Sequence, residues 1–403
     1  HYMNLCNCLL GKLGTKTYEK KELQKLNSKY NPVNNFSFSI KENDNKIVPS
    51  FNIYWYNLSD NYANSIDIIK EIVMYTDFTD IDTIKDIINK SIIDFENSLQ
   101  YNLCLAFNRS LSGYDKRYLY ESYTNGLEHY NFLLDIKEKL NSNPDEIVSK
   151  LEDVYQRMCN RTDIMATFIG TNDNLKKYKE NVTYLTNECS ALGIQSLDKF
   201  EIESLSKNEA IKTNSDIQYN VMLSSWKELG MTYDAKFLPI INLISDKCLN
   251  QIIRHNIGAY GAQMTADKDF ILLFSYRDPS IQETYKLYNN LPEDAAKLEV
   301  SQEDVDGYIK NAYSSVVVPK SDFMNASFSL NCYIEGISKN EILKDLKRIK
   351  SSNVKDIKII INMLNRLVNK NSKITLGNSY TIEENKELFD NIIDINNKGN
   401  SNN

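Results

Sequence analysis

The sequence predicts an α+β fold of two related domains, each an antiparallel-rich sheet packed with helices. Three observations lead there. Short β-branched and aromatic runs alternate in polarity, long stretches between them space apolar residues three and four apart, and both halves of the chain close on a late strand and a helix. With 403 residues, 42% hydrophobic and 25% charged, the chain can build about two domains with substantial cores. No uninterrupted apolar run approaches the ~18 residues of a membrane span, so no membrane partner is expected. A formal charge of −7 and a pI near 5.3 give no general reason to expect nucleic acid.

Taken in order, Leu5, Leu9, Leu10 and Leu13 make one apolar helix face that Gly14 can end. Phe36, Phe38 and Ile40 alternate with serines, and "PSFNIYWYNL" is aromatic and β-branched, so both read as strands. Helical patterns fill roughly 61–160, "DIMATFIGT" at 163–171 reads as a returning strand, and a helix follows near 173–190. These elements form a first domain, 1–195. The polar stretch 196–215 reads as a linker. In the second domain, 216–393, "IQYNVMLSSW" reads as a strand, and Phe237, Ile241, Ile244, Cys248 and Ile252 fall at helical spacing over 235–254. "DFILLFSYR" is another strand. Ile342, Leu346 and Ile349, then Ile357, Ile361, Leu364 and Val368, mark further helices before the short strand "SKITLG". The tail 394–403, all polar after Ile395, is expected to be disordered. The start at His1, inside an apolar pattern and with no charged n-region, long h-region or cleavage site, is what a fragment would show.

Chemistry-bearing motifs are scarce. Seven scattered cysteines without a repeated C-x-x-C spacing read as reduced thiols, and Cys6-Asn7-Cys8 is too close a pair to form a metal site alone. No H-E-x-x-H or H-x-x-E-H pattern occurs, nor a Walker loop, a G-x-G-x-x-G or a G-x-S-x-G. No metal ligand is therefore assigned, and His129 reads as a packed or surface residue rather than a base. This leaves "RHNIGAYGAQ" at 254–263, where a helical pattern gives way to a strand in a chain with only 13 glycines. One reading is structural: Arg254 complements the helix dipole, Gly258 relieves the backbone after the helix and Tyr260 packs beside the sheet. The other is a binding site. Arg254 supplies a forked cationic donor and Tyr260 a neutral one, while Gly258, Ala259 and Gly261 let another backbone come close, a combination suited to a peptide carbonyl.

"RHNIGAYG" followed by "FILLFSYRDPSIQETYKLY" closely resembles the R-x-x-x-G-A-Y-G and S-Y-R-D-P signatures of presequence-protease-type (falcilysin-like) enzymes, single-chain zinc metallopeptidases of the insulinase/pitrilysin family. More weakly, "LGKLGTKTYEKKEL" resembles the start of that family's third domain and "KNEAI" the entry to its fourth. The resemblance implies the second half of such an enzyme, whose four related α+β domains enclose a chamber in which unfolded peptides are cut. Zinc and the catalytic Glu would come from the N-terminal half, and Arg254 and Tyr260 would reach the substrate and support its carbonyl oxygen as charge develops, so that the fragment alone would be inactive. Ser275, Tyr276, Arg277, Asp278 and Pro279 read as the end of a strand and the start of a helix, with Asp278 near its N-terminus. "YNPVNNFSFSI" departs from the family in lacking its double glycine, which bears on the early register and the local substrate path. A catalytically silent homologue that binds peptides or serves as a scaffold is the alternative. The residues do not set a compartment; the resemblance points to an organelle, a mitochondrion or plastid.

Overall fold

The computed structural model describes residues 1–30, 33–43, 46–101, 103–159, 164–190 and 204–395. They form two compact units that are not contiguous in sequence: 1–95 with 120–202 and 321–336, and 96–119 with 203–320 and 337–403. The expected division into 1–195 and 216–393 contains neither exchange. An amphipathic pattern states that a helix face needs cover, not which core covers it.

In the first unit, β1 (Val33–Asn43) and β2 (Lys46–Tyr56) pair antiparallel as a two-stranded sheet, in register from Val33 opposite Tyr56 to Asn43 opposite Lys46. Its other regular elements among the described residues are helices. Ile84, Ile88 and Ile92, four residues apart on the helix Ile81–Ser98, are all buried, as the period requires. The first helix, Tyr2–Leu9, stops short of the expected Gly14: Leu10 turns extended and Gly11 takes φ 73°, a left-handed value that glycine adopts without cost. Leu10 and Leu13 are nonetheless buried. The strand expected at 163–171 does not form over its described part, 164–171, where Ile164, Met165 and Ile169 are exposed and no strand is paired with them. An apolar run marks a strand only where a neighbour supplies the ladder.

The second unit is built on a six-stranded mixed sheet in the order β5-β6-β4-β7-β3-β8, comprising β3 (Asn208–Thr213), β4 (Gln218–Ser225), β5 (Gly261–Ala266), β6 (Phe270–Asp278), β7 (Lys373–Asn378) and β8 (Asn391–Asp394). Two strands fall where none was expected. β3 occupies the end of the supposed 196–215 linker, whose residues 196–203 lie outside the described ones, and β8 reaches the first residue of the supposed tail, whose residues 396–403 do as well. β3 is only six residues long, but it runs parallel to both β7 and β8, and every residue except Lys212 is buried. Glu209 within it is held by Arg109, Nε to Oε1 at 2.5 Å, while Asn391 donates to Oε2 at 2.6 Å. A carboxylate so buried persists only when paired in this way. Ile357, Ile360, Met363, Leu364 and Leu367 put one face of their helix into the core of this unit, each buried side chain contributing about 2 kcal/mol.

Candidate functional site

The helix that carries the singled-out stretch runs without a break through Leu238–Ile244, a wider π-turn at Ser245–Asn250 and Gln251–Asn256. Pro239 starts it, where its missing N–H costs nothing. The π segment has a visible role at the sheet edge. Ser245 Oγ accepts the Met264 N–H at 2.8 Å and Asn250 Oδ1 the Ala262 N–H at 3.4 Å, so two backbone donors of edge strand β5 are covered by the helix. Here a peptide cannot simply add as a further strand.

Arg254 and His255 lie exposed in the last helical turn. Gly258 then closes the helix at φ 84°, its N–H donating to Ile253 O at 3.2 Å. A Cβ there would meet nothing within 4 Å, so the backbone angle, not crowding, favours glycine. Ala259 turns its methyl into the core. Tyr260 emerges 61% exposed, with its N–H donating to Arg277 O at 3.3 Å. Gly261 opens β5 opposite Tyr276, and a Cβ on it would stand 2.7 Å from the Tyr276 hydroxyl. Close approach of that ring is what the second glycine permits. Of the five residues singled out, the structure therefore presents Arg254 and Tyr260 to solvent, exposes Gly258 as a cap, and buries Ala259 and Gly261. Neither the Arg254 guanidinium nor the Tyr260 hydroxyl has a hydrogen-bond partner among the described residues.

The end of β6 supplies residues that the sequence reading did not assign to the site. Ser275 pairs with Asn220 and Asp278 with Gln218, so Tyr276 and Arg277 together face the single residue Tyr219. This is a β-bulge, and Arg277 within it takes φ 49°, the one left-handed non-glycine among the described residues. Its guanidinium lies 5.5 Å from the centre of the Tyr260 ring and 5.8 Å from that of Tyr101, and Tyr276 packs on Tyr260 with centres 5.5 Å apart. A bulge leaves no apolar period to read, so the sequence carried only the bare Arg in "SYRDP".

Beneath this rim Asp278 is fully buried. Its carboxylate accepts from Ser275 Oγ at 2.5 Å, Thr284 Oγ1 at 2.8 Å, Asn220 Nδ2 at 3.1 Å and the Ser280 N–H at 2.9 Å. Burial pushes its pKa up and those four donors oppose the shift. Asp278 thus ties the strand end to the helix Gln282–Ala296 from inside, rather than standing as its N-cap. His129, in the other unit, is packed as well, and burial pushes its pKa down. It stays neutral near pH 7 and is no base for this site.

Among the described residues no group of three His, Cys, Asp or Glu side chains is placed to hold a metal ion. The described residues do not fit a zinc site. No described helix is long and apolar enough to cross a membrane.

Residues 1–136 match a family model for a domain associated with the M16 peptidases of subfamily C, and residues 208–377 match one described as "PreP C-terminal domain". Protein HypA of Clostridium perfringens is 26% identical over 397 residues, spanning 97% of this chain and 40% of that protein. The mitochondrial presequence protease of Yarrowia lipolytica is 24% identical over 315 residues, 75% of this chain and 31% of that one. The chain spans about two fifths of the length of the first of these curated relatives and less of the second. In fold it is similar to a peptidase M16 inactive domain from Pseudomonas fluorescens, with a TM-score of 0.55 at 12% identity, covering 92% of this chain and 86% of that one. A conserved protein from Enterococcus faecalis V583 is similar with a TM-score of 0.59 at 12% identity, covering 94% and 91%. The two family models match successive parts of the chain, 1–136 and 208–377, and with these relatives they identify it as the C-terminal half of a presequence-protease-like protein of the M16 peptidase family.

Proposed function

We propose that this chain is the substrate-holding half of a zinc-dependent endopeptidase that degrades unfolded peptides within a closed chamber. An N-terminal half of the same protein would supply zinc and the catalytic Glu. The observation that carries the reading lies between the helix end and the head of β5: Arg254 and Tyr260 are both exposed and both lack a hydrogen-bond partner among the described residues, while Gly258 and Ala259 between them serve the cap and the core. Arg254 offers a planar fork and Tyr260 a single O–H. Both suit the carbonyl oxygens of an extended peptide, and a donor aimed where charge develops stabilises the transition state more than the ground state. The same donors would serve a catalytically silent homologue that only binds peptides. The family's organellar members favour a mitochondrion or plastid, although the relatives include bacterial proteins.

The test is peptide cleavage by the full-length protein. Tyr260→Phe keeps the ring and removes the donor, and should lower kcat/KM on the order of a hundredfold, with Arg254→Lys also impaired because it loses the fork. Unchanged efficiency in both folded variants would remove the assignment. Peptide binding without any cleavage by the wild type would favour the silent homologue.

A further inference from the structure

Arg277 is not accounted for by the fold. Successive strand residues point to opposite faces of a sheet, yet Tyr276 and Arg277 both reach the ring of Tyr260. The bulge opposite Tyr219 and the left-handed backbone at Arg277 are what allow it, since they break the alternation and swing the side chain back. Glycine is the ordinary occupant of such a position. An arginine there keeps an unfavourable backbone, and its exposed guanidinium makes no ion pair among the described residues. What it touches is aromatic: the rings of Tyr260 and Tyr101, which are 61% and 67% exposed. Its carbonyl also accepts the Tyr260 N–H, so one residue holds Tyr260 by backbone and by ring face.

We infer that Arg277 is the positioning residue for Tyr260. Its guanidinium lies against the ring and Tyr101 lies against that guanidinium, which narrows the swing of an otherwise exposed phenol and fixes where the hydroxyl points. The inference rests on the reading of Tyr260 as a peptide-binding donor. A donor that is already oriented loses less freedom on binding, so the contribution of Arg277 is pre-organisation rather than a contact of its own.

The experiment measures binding of a fluorescein-labelled unstructured peptide to the full-length protein by anisotropy, with thermal unfolding of every variant alongside. Arg277→Gly relieves the backbone and removes the guanidinium. It is expected to unfold at or above the wild-type temperature while binding the peptide several-fold more weakly. Arg277→Lys, which retains a cation but not the flat face, should recover only part of the loss. In the Tyr260→Phe background Arg277→Gly should cost nothing further, because no hydroxyl is left to orient. Equal losses in both backgrounds would make Arg277 an independent contact and overturn the positioning role. Normal binding by Arg277→Gly beside weakened binding by Tyr260→Phe would overturn it too, leaving the peptide site intact. Normal binding by Tyr260→Phe would overturn the reading of the site and this inference with it.

Discussion

Two groups of polar side chains lie at the same end of the six-stranded sheet and differ in almost every physical respect. Below the end of β6, Asp278, Asn220, Ser275, Thr284 and Thr375 are buried and bonded to one another: Asn220 Oδ1 accepts from Thr375 Oγ1 at 2.8 Å, and the Tyr285 hydroxyl meets Thr375 Oγ1 at 3.0 Å. At the rim, Arg254, Tyr260 and Arg277 are exposed, and their polar ends have no hydrogen-bond partner among the described residues. Asp278 follows Arg277 directly. A closed network of buried polar groups fixes a local shape and has no donor to spare. Exposed donors held on a rigid framework are the ones a ligand can use. Under the proposed function, satisfaction rather than proximity to the signature separates the residues that would bind from those that hold the fold.

The largest expected effect comes from opening the closed network. Asp278→Ala removes the acceptor of four donors, three of them on buried side chains, and should destabilise the fold by about 3 kcal/mol, read by urea unfolding. The carboxylate also gives this group a pH signature. Its folded-state pKa is raised, so its contribution to stability is fullest below the unfolded value of ~3.9 and is lost as pH rises through the folded value. Asp278→Asn cannot titrate. The stability gap between wild type and this variant should narrow as pH rises from acid toward neutral. A gap that widens instead would mean that the four donors outweigh burial and hold the carboxyl down.

Opening the rim should do the reverse. Tyr260→Phe and Arg254→Lys are expected to leave unfolding within about 0.5 kcal/mol of wild type, as surface changes do, while lowering peptide turnover. A large stability loss in either would move that residue to the structural side of the comparison. The sequence made this side legible, since Arg254, Tyr260 and both glycines stand in one short signature. It also showed the hairpin strands, β4, β6 and β7, whose β-branched and aromatic runs are long enough to read. β5 was legible as the strand that follows the helical pattern at 254–263, whereas β3 and β8, with six and four residues, were not. The pairing of β3 with β7 and β8 joins segments distant in the chain. The same holds for the bulge at Arg277 and for the helix Asp322–Ile334, which belongs to the first unit although its sequence neighbours belong to the second.

Gly261→Ala tests the seam between the two groups. Its Cβ would stand 2.8 Å or less from the Tyr276 ring and hydroxyl, which must then swing away and release its face from Tyr260. A loss of about 1 kcal/mol is expected, with weaker peptide binding because Tyr260 is less well held. Structure determination of the variant would check the ring displacement directly. Unmoved rings with normal binding would show that the Gly261 and Tyr276 contact does not support the rim.

The smallest effect is expected at Gly258, where two accounts of one residue make different predictions. Nothing lies within 4 Å of the Cβ it lacks, so substitution is opposed only by the backbone angle of 84°. Gly258→Ala should cost about 1 kcal/mol, and Gly258→Asn less, because asparagine tolerates the left-handed region better. If the glycine serves only to cap the helix, peptide binding should follow that order, with Asn nearer to wild type than Ala. If it also leaves room for a substrate backbone beside Arg254 and Tyr260, the larger Asn side chain should weaken binding more than Ala despite its smaller cost in stability. Paired measurements of unfolding and peptide affinity on these two variants therefore separate a structural glycine from one that belongs to the binding rim, and parallel ordering of the two quantities would return Gly258 to the helix cap alone.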